Sequence, residues 1–209
     1  MNKKCCCDLA HDPRFVVVTG GPGAGKTALL EVVRRHFCEH VVVLPEAASI
    51  LFSGGFPRRE SVAARRAVQR AIFHVERELE RLASEERRAA VVLCDRGTLD
   101  GLAYWPGARE DFFSELGTSL GAELARYAAV IHLRTPDGAG GYNHQNPVRT
   151  ESAREAGAID ERILEVWGGH PRRHVVESAP AFIEKVGRAL DVLRREIPAC
   201  CASGEPGAA

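Results

Sequence analysis

A chain of 209 residues that is 45% hydrophobic is sized for one α/β domain with a full core, which excludes a disordered segment or a short disulfide-stapled module. Its 28 basic residues balance its 28 acidic ones, so no chain-wide electrostatic footprint exists, and neither nucleic acid nor membrane is expected as a partner. No apolar run approaches the ~18 residues of a membrane-spanning helix, and the first fifteen residues lack the apolar core of a secretory signal, so the expectation is a cytoplasmic protein, monomer or homodimer.

The elements alternate along the chain. Arg14 to Thr19 (RFVVVT) is a short β-branched run stopped by glycines, which predicts a buried strand entering a turn. Lys26 to Cys38 places Leu29, Val32, Val33 and Phe37 at helical spacing, and Val41 to Leu44 is a second strand. Ser61 to Glu86 is a long amphipathic helix with Val68, Ile72, Val75, Leu79 and Leu82 as its inward stripe; Gln69 on it fits hydrogen-bonding to an acceptor but is expected to face solvent. Ala90 to Cys94, Ala128 to Leu133 and His174 to Val176 are the third, fourth and fifth strands, separated by helical material, which predicts a parallel sheet. Between the last two lie a Gly-, Asn- and Pro-rich stretch, residues 136–155, expected to be a lid, and a helix from Ala158 to Trp167. Ala181 to Arg195 is a closing helix with Phe182, Val186, Leu190 and Leu193 inward. A single domain over residues 14–197 is expected, flanked by flexible tails at 1–13 and 198–209. Five of the seven cysteines, Cys5, Cys6, Cys7, Cys200 and Cys201, fall in those tails and form no disulfide framework; metal binding or acylation is open to them, but no Cys-x-x-Cys or His spacing supports a zinc site, and disordered ends are the expectation.

Gly20-Gly21-Pro22-Gly23-Ala24-Gly25-Lys26-Thr27 satisfies G-x-x-x-x-G-K-[ST] after a buried strand and before a helix. Glycines allow the backbone to wrap a polyphosphate of ATP or GTP with its N–H groups inward, where the helix N-terminus also favours negative charge. Gly21, Pro22, Gly23, Ala24, Gly25, Lys26, Thr27 and Ala28 are therefore the nucleotide-binding candidates. Lys26 reaches the β and γ phosphates, and the Thr27 hydroxyl is placed to ligate Mg²⁺. Lys26 is one of four lysines beside 24 arginines, so lysine here is not compositional drift.

In an open parallel sheet, ligands meet the carboxyl ends of the strands. Asp95 ends the third strand, where an acidic residue would hold Mg²⁺, and Arg96 beside it could pair with phosphate. Glu46 ends the second strand, placed to accept the proton of an attacking hydroxyl or to begin a helix after Pro45. Asp100 fits either an acceptor-orienting role or a first helical turn. Tyr104 and Trp105 fit either an acceptor pocket or the core. Arg149 and Arg154 are placed so that a closing lid could lay a guanidinium on the transferring phosphoryl, while His144 is read as solvated.

With the P-loop, Pro45-Glu46, the CDRG segment at Cys94 to Gly97 and the RTESARE segment in hand, the chain resembles small P-loop kinases. It looks closest to the AAA-domain family of ATPase/kinase proteins similar to nicotinamide-riboside kinase, and more distantly to deoxynucleoside and thymidylate kinases, over roughly Phe15 to Leu193. That resemblance implies a five-stranded parallel sheet in order 2-3-1-4-5, ATP on the P-loop, and an acceptor between Glu46 and Asp95-Arg96. The DRG segment departs from the nucleotide kinases, so acceptor identity does not carry over, and no sensor or arginine-finger motif of ring-forming motors is present. The expected function is an ATP- and Mg²⁺-dependent transfer of the γ-phosphoryl to a small-molecule hydroxyl, with Glu46 or Asp95 taking the proton. The rival is a nucleotide-switched regulator acting through a protein partner.

Overall fold

The computed structural model describes residues 10–136, 153–179, 181–198 and 201. Five parallel strands, β1 (Arg14–Thr19), β2 (Val41–Leu44), β3 (Val91–Asp95), β4 (Ala129–Leu133) and β5 (Arg173–Val176), form one sheet in the order β2-β3-β1-β4-β5. The helices are α1 (Lys26–His36), α2 (Ala47–Ser53), α3 (Val62–Glu86), α4 (Arg109–Leu116), α5 (Leu120–Leu124), α6 (Ala153–Val166) and α7 (Phe182–Arg194). The parallel sheet is what the alternation of β-branched runs with helical periods predicts, its strand order is the one the resemblance implies, and the first two strands have the expected limits.

Strands buried on both faces must be apolar at every position, and successive side chains point to opposite sides. Val16, Val18, Leu93 and Ile131 thus pack on one face against Leu30 and Val33 of α1 and Val186 and Leu193 of α7. Val17, Val92, Cys94 and Val130 pack on the other against Ile159, Ile163 and Trp167, on and just beyond α6. Two smaller clusters extend that second face: Ala47 of α2 with Val68 and Ile72 of α3, and Phe73, Trp105 and Phe112, which bring α3, α4 and the chain before α4 together. Trp105 is therefore a core residue, 7% exposed.

Three expectations about helices need correction. The buried face of α3 is Val68, Gln69, Ile72, Phe73, Glu76 and Glu80, while Leu82 is 53% exposed. The helix is rotated from the apolar stripe, and Glu80 has partners that make its burial tolerable: it takes Arg126 and accepts from the Tyr127 hydroxyl at 2.7 Å. Gln69 is accordingly buried rather than solvent-facing. Helix α6 starts at Ala153, not 158, so the end of the stretch read as a lid is helical, and Glu155 and Ala156 belong to its first turn. At the start of α7, Phe182 is 47% exposed, because its ring lies against Gly25 of the P-loop instead of the core.

Candidate active site

Register sets the stage. Val18 of β1 is level with Asp95, Leu44 of β2 with Cys94, and Thr19 with His132 of β4. The carboxyl ends of β2, β3 and β1 therefore deliver Glu46, Asp95-Arg96 and the glycine loop to one edge of the sheet.

The loop between β1 and α1 has φ of +134° at Gly20, +80° at Gly23 and +94° at Gly25, values that only glycine adopts without strain. Space agrees with conformation: a Cβ on Gly20 would fall 2.1 Å from the Leu133 carbonyl oxygen, and one on Gly25 2.4 Å from the Phe182 ring. Gly25 is also the left-handed residue preceding α1. The loop thus presents amides at a helix N-terminus in a cradle no side chain could line. Lys26 folds back over it, its Nζ donating to Gly20 O at 2.8 Å and Gly21 O at 3.0 Å. Burial first, and the Arg96 charge second, bring its pKa down to about 7, against the pull of Asp95, Glu46 and Asp100. A buried amine whose charge is disfavoured gains most from an arriving polyphosphate. Thr27 and Ala28 are exposed at the mouth of the loop.

Arg96 ties the acidic residues together. Its Nε donates to Glu46 Oε1 at 2.9 Å, and its Nη1 donates to both Gly20 O and Asp100 Oδ2 at 3.4 Å each. It holds φ +75°, a conformation that costs a non-glycine residue ~1 kcal/mol or more and that the surrounding contacts sustain. Glu46 is the residue preceding α2, which agrees with its reading as the start of a helix. Burial raises its pKa, but Arg96 and the Ser49 hydroxyl at 2.5 Å outweigh that, and the carboxyl stays below its ordinary range. Asp95 moves the other way: burial raises it, with Lys26 the main opposing charge. Asp100 is buried and accepts from the Thr19 hydroxyl and from Trp167 Nε1, both at 2.6 Å, so it braces the floor of the site beneath Arg96.

A small hollow beside these groups is lined by Leu44, Pro45, Glu76, Leu79, Glu80, Cys94, Asp95 and Arg96. Glu76 enters it from α3 with its pKa raised well above the usual range by burial, reinforced by Asp100 and Glu80. The shift favours its neutral acid form, which donates a hydrogen bond as well as accepting one. Tyr104 stands beside the site, its ring 5.9 Å from the Arg96 guanidinium carbon.

Two residues that hold the cradle were not singled out from the sequence. Asp160 of α6 accepts from Gly21 N at 2.7 Å and Thr135 N at 3.2 Å, lies 3.0 Å from His132 Nε2, and pairs with Arg134 at 2.9 Å. Lys185 of α7 donates to Ala24 O at 2.8 Å and to Arg134 O, with burial bringing its pKa down to about 8. A signal existed for both. Each is a charged residue inside an apolar helical stripe, Asp160 among Ala156, Ile159 and Ile163, Lys185 beside Val186 and Ala189. Of the two lid arginines, Arg154 is exposed in the first turn of α6. Arg149 and His144 lie outside the described residues.

A family model described as an AAA domain matches residues 15–183. The chain belongs to that family. Its members are P-loop NTPases with a kinase-like domain, and the sheet order and loop described above are those of this fold. Among solved structures, the domain is similar to a thymidylate kinase from Candida albicans at 10% identity and a TM-score of 0.58, over 88% of this chain and 92% of that one. At such identity the likeness is one of fold. No curated protein matches the sequence.

Proposed function

We propose that this AAA domain is an ATP-dependent kinase that moves the γ-phosphoryl group to a hydroxyl of a small, nucleoside-like molecule. The observation that carries the reading is the Glu46–Arg96 pair: a carboxylate held at 2.9 Å on a guanidinium, at the edge of a side-chain-lined hollow and next to the phosphate cradle. A switch that only hydrolyses its nucleotide has no need of a hollow with an oriented carboxylate at its mouth.

The amides of Gly23, Gly25, Lys26 and Thr27, with the Lys26 ammonium, hold the β and γ phosphates, while the Gly21 amide stays on Asp160. Mg²⁺, when bound with ATP, neutralises charge on the phosphate oxygens; Thr27 and Asp95 are the residues that would hold it. They fit: both offer hard oxygen donors, and Thr27 is exposed at the cradle's mouth. Arg96, and a lid arginine, Arg149 or Arg154, stabilise the transferring group. The acceptor oxygen bonds to the γ phosphorus as the bond to the β–γ bridging oxygen breaks, ADP leaves, and the acceptor proton passes to Glu46. We assign Glu46 rather than Asp95 as proton acceptor because its lowered pKa keeps it ionised, and a loose transition state asks for orientation more than for a strong base. Glu76, on the wall of the hollow, is the group best placed to hydrogen-bond the acceptor. The finer likeness to nicotinamide-riboside kinase belongs to this proposal.

The test is ADP release from ATP and Mg²⁺ with and without a panel of nucleosides and other hydroxyl compounds, with Lys26→Ala as control. Acceptor-stimulated, Lys26-dependent turnover with a phosphorylated product supports the kinase. Slow turnover unaffected by every acceptor, together with a partner captured only in one nucleotide state, replaces it with the regulator.

A further inference from the structure

We infer that His11, His40 and Cys201 form a Zn²⁺ site that fastens the two ends of the domain to its sheet, away from the phosphate cradle. The residues come from three separate segments: the approach to β1, the turn between α1 and β2, and the chain after α7. Their ligand atoms lie within 4.8 Å of one another. His40 Nδ1 is 3.4 Å from Cys201 Sγ, and the two imidazoles stand edge to face with centroids 4.7 Å apart. In a tetrahedral site with Zn–S of ~2.3 Å and Zn–N of ~2.0 Å, sulfur and nitrogen ligands are ~3.5 Å apart. The observed edge is already of that length.

Each ligand is anchored by its own backbone. His40 O accepts from Ala90 N at 2.8 Å and Val91 N at 3.1 Å, His11 N donates to Arg87 O at 3.1 Å, and Cys201 N donates to Pro198 O at 2.9 Å. Cys201 is 8% exposed within the core cluster of α1 and α7, although it falls in the stretch read from sequence as a tail. Two imidazoles and a thiolate select Zn²⁺ over Mg²⁺ or Ca²⁺, and three protein ligands leave a fourth position for water. Binding replaces the thiol S–H by an S–Zn bond and releases one proton to solvent. Because His40 lies at the amino end of β2 and the cradle at the carboxyl ends, the strands, four to six residues long, separate the two sites by roughly 13–20 Å at ~3.3 Å per residue.

The test uses the full chain with Cys5, Cys6, Cys7 and Cys200 replaced by Ser, so that other terminal thiols cannot report. Titration with Co²⁺ is expected to give one equivalent bound with a thiolate-to-metal charge-transfer band that Zn²⁺ displaces. Cys201→Ser abolishes the band, and His40→Ala weakens binding ~100-fold or more. Zn²⁺ at a hundred times its Kd raises Tm by roughly 5–10 °C in the parent and not in Cys201→Ser. No bound equivalent, or a Co²⁺ spectrum and Zn²⁺ shift unchanged by Cys201→Ser, overturns the site and leaves His40 and Cys201 as a thiol–imidazole contact only. Circular dichroism of each variant separates loss of the ligand from loss of the fold.

Discussion

Replacing Asp160 by Ala tests whether the phosphate cradle is held from α6. The carboxylate is 1% exposed and faces two backbone N–H groups, His132 and Arg134. Removing one partner of a buried ionic cluster costs ~3–5 kcal/mol, because the remaining groups stay buried and lose their acceptor. For a domain of this size ~1 kcal/mol corresponds to ~2–4 °C, so Tm is expected to fall by roughly 6–20 °C. Asp160→Asn keeps the shape but can present only one oxygen to the Gly21 and Thr135 amides, and should lose about half as much. The carboxyl pKa is held low despite burial, mainly by His132 and the Gly21 amide. Its contribution is therefore present above the unfolded carboxyl pKa of ~3.9 and disappears as pH falls through the lower folded value. Thermal melts of wild type and both variants at pH 7, with ATP affinity measured alongside, decide the matter. An Asp160→Ala variant within ~1 kcal/mol of wild type, with unchanged ATP affinity, would refute the argument.

Lys26→Ala is expected to lower turnover about 10²–10³-fold, the loss typical of one preorganised charge on a transition state. Because the Lys26 pKa is about 7 without nucleotide and phosphates raise it, ATP binding at pH 8 should take up close to one proton, and at pH 6 very little; calorimetry in buffers of different ionisation enthalpy measures this, and Lys26→Met should abolish it. Arg96→Lys keeps the charge but loses the fork that spans Glu46, Gly20 and Asp100, so kcat is expected to fall ~10–100-fold with the fold retained by circular dichroism. Glu76 has a raised pKa, so its stabilising influence is complete below the unfolded value of ~4.3 and is lost as pH climbs to the folded one. Glu76→Gln should therefore gain stability relative to wild type with rising pH, by up to ~1.4 kcal/mol per unit in that window, read from urea melts between pH 5 and 9.

Much of this domain was legible in one dimension. Five β-branched runs alternating with helical periods can only stack as a parallel sheet, and G-x-x-x-x-G-K-T between the first run and the first helix locates the phosphate cradle because that spacing alone combines three left-handed glycines with a lysine and a hydroxyl. Glu46 and Asp95-Arg96 were legible as candidates for a similar reason: the polar residue that ends a buried run must lie at the carboxyl edge. Periodicity could not rank the faces of α3, since it scores Glu76 and Glu80 as solvent-facing, whereas Arg126 and Tyr127, on a distant segment, make the burial of Glu80 favourable. Nor could it show that Asp160 and Lys185, 139 and 161 residues from the loop atoms they bind, close the cradle from behind. Local spacing reports which way a side chain points along its own element. Which charge meets which across the chain, and so which carboxyl is pushed toward its charged form, which toward its neutral one, and which histidines meet a cysteine, is decided only when the strands are laid side by side.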